Sequence, residues 1–283
     1  MTRDQGWSRV ISYQSNYLLK AMNRYICYVV SDKGLKRTLN EDTVICDPDH
    51  GIFLVADGMG GENYGEVASQ LASEKFFQSI LPFIEDEEAT IPFEHTEKGH
   101  YFISALLCAA EAANTAVIEF AAENKSHRGM GSTLTGIVYH ENHFYVIHIG
   151  DSRLYRIRKE CMEQITVDHT RVQEMVNKNL ITPDEARFHP QRNIITRCVG
   201  RESQFQPDVF SIEFDEKDIF LICSDGLYDM VDDEHILRIV VQSENFEQAC
   251  KKLVKTANEN GGKDNISVVL TQLCTGNKVK SIE

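Results

Sequence analysis

Ile52-Phe53-Leu54-Val55-Ala56-Asp57-Gly58-Met59-Gly60-Gly61 is the stretch on which the reading of this chain turns. An unbroken apolar run rich in β-formers predicts a strand, and the strand ends in a carboxylate. Gly58, Gly60 and Gly61 then let the backbone approach a ligand closely. Asp-Gly by itself is a turn signal. The same arrangement recurs at Asp218-Ile219-Phe220-Leu221-Ile222-Cys223-Ser224-Asp225-Gly226. Helical spacing follows each copy where a hairpin would need a partner strand, so the turn reading weakens for both.

Three more stretches with acidic residues border β-rich runs. Asp264 lies in Gly261-Gly262-Lys263-Asp264-Asn265, just before the closing strand. Glu41 and Asp42 end Arg37-Thr38-Leu39-Asn40-Glu41-Asp42, ahead of a strand beginning at Thr43. Asp151 sits in a turn in His148-Ile149-Gly150-Asp151-Ser152-Arg153. Each could be an ordinary turn residue or helix cap. Together they are carboxylates that a rigid sheet can aim into one place, and converging carboxylates repel unless a divalent cation neutralises them. Hydrolysis of phosphate monoesters is among the slowest uncatalysed reactions. A pair of oxygen-ligated divalent ions about 3.5 to 4 Å apart meets that demand by activating a bridging water and polarising the phosphate. Arg37, beside the acidic cluster, is the candidate bidentate fork for the phosphate.

The 283 residues carry a formal charge of -14 and are 42% hydrophobic, enough for a sizeable core. The acidic balance disfavours nucleic acid and anionic membrane. The eight cysteines have no CxxC spacing and read as buried, reduced thiols. The N-terminus lacks a signal-peptide pattern, and the apolar stretches read as too short to span a bilayer, so the expected location is cytoplasmic.

Strands are expected at Tyr25–Val30, Thr43–Cys46 and Ile52–Ala56, then helices at Glu66–Ile80 and Ile103–Ala122. Ser132–Tyr139, Phe144–Ile149, Arg153–Arg158 and Met162–Thr166 have hairpin spacing and suggest one antiparallel meander. Thr182-Pro183-Asp184-Glu185 fits a capping box with proline at the first helical position. Strands are expected again at Asn193–Cys198, Val209–Phe214, Ile219–Cys223 and Ile266–Leu273, with helices over 234–259. The mixture is α+β, with helices layered on antiparallel sheets. Residues 1–24 form an extension of unreadable role, 25–274 one domain, and 275–283 a polar tail.

In order and spacing, these motifs resemble the metal-dependent protein phosphatases, the PPM family, in their bacterial serine/threonine branch. The likeness spans roughly residues 25 to 273. It also rests on Gly131-Ser132-Thr133, Asp168-His169-Thr170, Asn193-Ile194-Ile195-Thr196-Arg197 and Ser224-Asp225-Gly226-Leu227. The resemblance implies a four-layer αββα sandwich, two antiparallel sheets flanked by helical pairs, with two or three Mn2+ or Mg2+ ions in a cleft at one end. It implies that Asp57 bridges two metals, with the Gly58 carbonyl on one and Asp225 and Asp264 on the other. Asp42 would bind through a metal water, Glu41 stands where some relatives place a ligand, Asp151 matches a third, weaker site, and Arg37 matches the phosphate arginine. Substrates would be phosphoserine and phosphothreonine proteins, including targets of a serine/threonine kinase, acted on by a monomer. Met59 replaces the histidine proposed as general acid in many relatives, leaving a metal-bound water or another residue as the donor, with His169 a candidate. Residues 168–192 resemble the flap beside the bacterial active site.

Other chemistries fit less well. No cysteine has the arginine six positions later that a cysteine phosphatase needs, there is no HExxH pair, and no GxxxxGK[ST] follows the glycines. The alternative of another class is an inactive family member serving as a regulatory or binding module; loss of Asp57, Asp225 or Asp264 would have favoured it, and all three are present.

Overall fold

The computed structural model describes residues 10–11, 24–60, 64–86, 89, 98–123 and 125–274. Most of the expected extension and all of the expected tail lie outside them. The first half comprises β1 (Val10–Ile11), β2 (Arg24–Asp32), β3 (Asp42–Asp47), β4 (Ile52–Met59), α1 (Gly65–Glu85) and α2 (Lys98–Glu123). Next come β5 (Gly131–Ser132), β6 (Leu134–His140), β7 (His143–Ile149), β8 (Arg153–Arg158), β9 (Cys161–Gln164), α3 (Arg171–Asn177) and α4 (Pro183–Phe188). The remainder is β10 (Asp208–Ile212), β11 (Ile219–Cys223), α5 (Asp225–Tyr228), α6 (Asp233–Gln242), α7 (Phe246–Glu259) and β12 (Ile266–Cys274).

Alternation along β4 shows why an antiparallel strand is apolar throughout. Phe53 and Val55 point into a core shared with Phe220, Ile222 and Val269 of the other sheet. Ile52, Leu54 and Ala56 point the opposite way, onto Ala68, Phe76 and Leu106 of α1 and α2. β11 does the same, with Leu221 and Cys223 facing Leu253 and Ala257 of α7. Side chains of period two thus bury both faces, and the layers are helices, sheet, sheet, helices, as expected. The larger sheet has the order β1-β3-β4-β6-β7-β10, with β5 on β4, and the smaller β2-β12-β11-β8-β9. All ladders are antiparallel except β1 on β3.

Four expectations need correction. The strands after Gly131 are not one meander: β6 and β7 pair in the larger sheet, β8 and β9 in the smaller. The chain changes sheets at Gly150–Ser152, where Gly150 has φ 113° and a Cβ would lie 2.5 Å from Thr133 Cγ2. Residues 193–198 are not a strand. Their amides, with that of Val199, go to scattered acceptors, Thr196 to His169, Cys198 to Gln204 and Val199 to Ser132, so no ladder forms. Among the described residues one helical stretch, Tyr101–Glu123, is long and apolar enough to cross a membrane, with mean hydropathy 1.5, yet half of its most apolar window is buried inside the protein. Its Phe102, Leu106, Ala110 and Val117 fill the core beneath α1. Finally, the eight cysteines are free, but Cys161 is exposed, and Cys27 and Cys46 meet across the sheets with sulfurs 3.2 Å apart.

Candidate metal centre

The register of β3 on β4 puts Asp42 directly opposite Asp57. Like charges facing across a ladder repel, and this pair stands at the strand ends in surroundings that hydrate it poorly. Asp42 is 3% exposed. Ser224 Oγ donates to its Oδ2 at 2.8 Å, while its buried Oδ1 has no partner. Asp225, the first residue of α5, likewise leaves a buried Oδ1 unpartnered, and so does Glu66 Oε2 in the first turn of α1. Buried acceptors left unmatched carry a desolvation penalty.

Electrostatics show the same convergence. Burial, followed by the charges of Asp42, Asp225, Asp151 and Asp264, pushes the Asp57 carboxyl well above the carboxylate range. Burial with Asp151, Asp264, Asp229 and Asp42 does the same to Asp225. Burial carries Asp42 to about 6 against the hydrogen bonds of Ser267 and Ser224, and carries Asp151, helped by Asp168, to about 7. The donor set is oxygen from carboxylates, with charge in excess, which is what Mg2+ or Mn2+ takes. Among the described residues no group of three or more His, Cys, Asp or Glu side chains stands so that it could hold a metal ion. Asp264 is turned instead to Arg37 Nη2 at 2.7 Å and to the Asn265 amide at 2.8 Å. The unpartnered oxygens and mutual repulsion nevertheless fit divalent cations.

The backbone around these groups leaves no slack. A Cβ at Gly58 would lie 2.1 Å from Gly65 O and 2.5 Å from Glu41 O, and one at Gly226 would lie 2.0 Å from Asn265 O. Thr133 Oγ1 accepts from the Asp57 amide at 2.8 Å, and Asn265 Oδ1 from the Glu41 amide at 2.8 Å. Arg37 is about half exposed, with Nη1 3.7 Å from Glu41 Oε2, and its bond to Asp264 raises its pKa further, so it stays charged. Burial outweighs Arg37 and raises Glu41.

Glu66 is absent from the sequence motifs, and Ser224, Thr133 and Asn265 stand in them with no role assigned. Glu66 had a signal, an acid in the first helical turn after the glycines; the other three act by position only. His169, the candidate donor, is tied into the Gly150 turn. It is 6% exposed, its Nδ1 accepts from the Gly150 amide at 3.1 Å, and its Nε2 donates to Asp208 Oδ2 at 3.1 Å. Burial also lowers its pKa, so it holds the Gly150 turn as a neutral ring.

Comparison with known proteins places this geometry in context. A family model described as protein phosphatase 2C matches residues 36–271. Serine/threonine protein phosphatase PstP of Mycobacterium tuberculosis is 38% identical over 244 residues, 86% of this chain and 44% of PstP. This chain thus spans less than half the length of that relative. Protein phosphatase PhpP of Streptococcus pneumoniae is 33% identical over 87% of this chain and 96% of its own. The crystal structure of the PstP catalytic domain in complex with two manganese ions superposes with a TM-score of 0.74 at 33% identity, covering 89% of this chain and 99% of that one.

Proposed function

The chain belongs to the protein phosphatase 2C family, in its bacterial serine/threonine branch, and we propose that it hydrolyses phosphoserine and phosphothreonine in proteins with two or three Mn2+ or Mg2+ ions. The observation that carries this reading is the facing pair Asp42 and Asp57, with unpartnered oxygens on Asp42 and Asp225. Asp57, the Gly58 carbonyl, Asp225 and Asp264 would hold the two tighter ions. Asp42 and Glu41 act from the β3 side, and Asp151 serves a third, weaker site. Bound there, divalent cations lower the pKa of water and polarise the phosphoryl oxygens.

The chain's own residues supply the rest. Arg37 offers a fork to the phosphate and is kept charged by Asp264, from which it exchanges to substrate. Ser224 and Asn265 fix the carboxylates and loops so that little reorganisation is needed on binding. Met59 has no proton to give, so the proton for the leaving oxygen must come from another group. Residues 168–192 act as a flap at the substrate entrance. In this reading the protein is a cytoplasmic monomer whose substrates are phosphorylated by a serine/threonine kinase.

Phosphate release from a phosphothreonine peptide, measured with Mn2+, with Mg2+ and with excess EDTA, tests the proposal. Release that disappears in EDTA and in Asp225→Asn is expected. Well-folded protein inert under every condition would sink it.

A further inference from the structure

Asp151 follows the turn at which the chain passes from the larger sheet to the smaller, and a part-buried chain of contacts fixes it there. Tyr228 Oη donates to the Asp151 carbonyl at 2.9 Å. Tyr228 ends α5, the single-turn helix whose first residue is Asp225, so one ring ties the Asp151 backbone to the element that carries Asp225. The Arg153 guanidinium lies 3.6 Å from the centroid of that ring. Asp168 holds the guanidinium by a fork, with Nε at 2.9 and 3.1 Å from the two carboxylate oxygens and Nη2 at 2.7 Å. Arg153 Nη1 donates to Tyr155 Oη at 3.0 Å, and Gln164 Nε2 to Asp168 Oδ1 at 2.8 Å, so neither end of the fork swings freely.

We propose that Tyr228 and Arg153 are positioning residues that set Asp151 against Asp225, anchored by Asp168 at the root of the 168–192 segment. The inference rests on the reading above, in which both carboxylates hold divalent cations. Asp151 and Asp225 carry like charge, so an outside constraint is needed to keep their two elements together, and Tyr228 joins those elements. The hydroxyl supplies that constraint through the peptide carbonyl and makes no use of the Asp151 carboxylate. Arg153 is committed to Asp168 and therefore acts on Asp151 through the ring, where a planar guanidinium stacks and a lysine would not. The flap root and the weaker ion site are thereby one mechanical unit.

Tyr228→Phe separates this role from simple packing, because ring, stack and volume survive and only the hydroxyl goes. Calorimetric titration of the chelator-treated protein with Mn2+ reads it without catalysis. The weaker site should lose about tenfold in affinity, the cost of one good hydrogen bond, with the two tighter sites changed less than about twofold. In turnover, the Mn2+ concentration for half-maximal kcat should rise by the same factor, with KM for a phosphopeptide unchanged and kcat recovered at saturating Mn2+. Arg153→Lys should move the titration the same way. Wild-type Mn2+ binding in Tyr228→Phe would overturn the positioning role while leaving the phosphatase reading intact. Wild-type protein that binds no Mn2+ would overturn both.

Discussion

Glycines show at the scale of single residues how closely the candidate site is built. Gly226 follows Asp225 and has the Asn265 carbonyl where a Cβ would stand. Gly226→Ala must push α5 away from the 261–265 loop, moving Asp225 and Asp264 apart. Its expected cost is about 2 to 4 kcal/mol, read as a shift in the urea midpoint, with phosphate release falling further than stability alone explains. An unchanged midpoint would mean the loop yields without strain. Asp57, Asp225 and Asp264 were legible in the sequence because Asp-Gly and Asp-Asn stand at the ends of apolar runs. Tyr228 and Ser224 were not, since a hydroxyl's partner depends on which distant strand arrives beside it.

Elements were read with uneven success for a physical reason. β4 and β11 are apolar on both faces because helices cover one and the opposite sheet the other, and such runs stand out. The change of sheet at Gly150 leaves no mark in the alternation, because β7 and β8 read alike whichever sheet receives them. The capping box at Thr182 did show, and both of its bonds are present, with the Glu185 amide donating to Thr182 Oγ1 at 3.2 Å and the Thr182 amide to Glu185 Oε2 at 2.7 Å. Yet α4 buries none of its residues. Thr182→Ala should therefore weaken α4 by about 1 kcal/mol, seen as faster amide exchange near Glu185, and leave global melting within about 1 °C. A large drop in melting temperature would show that the segment is bound into the core.

Over the whole molecule, β3, β4, α5 and the loop before β12 bring acidic groups to one end of a sandwich that would be more stable without their charge. The sign of the pH dependence follows. Asp42 and Asp151 are raised to about 6 and about 7 in the folded protein, above about 3.9 when unfolded. Their contribution is fully present below pH about 4 and is lost as pH rises through the folded values. In chelator, stability should fall by a few kcal/mol between pH 5 and 8, and Mn2+ should flatten that fall. Chelated protein equally stable across this range would argue against the crowding of charge. Layering was legible as α+β from the order of strands and helices, whereas the partition of strands between sheets depended on pairings that no local pattern encodes.

Asp57 should destabilise the metal-free protein, a cost offset by the cation proposed for it. Melting temperatures of wild type and Asp57→Asn, each in EDTA and in Mn2+, test it most directly. Asp57→Asn should melt a few degrees above wild type in EDTA, as relief of a facing like-charge pair worth about 1 kcal/mol implies, and should gain little from Mn2+, while wild type gains strongly. A variant that melts below wild type in EDTA and gains as much from Mn2+ would contradict the account.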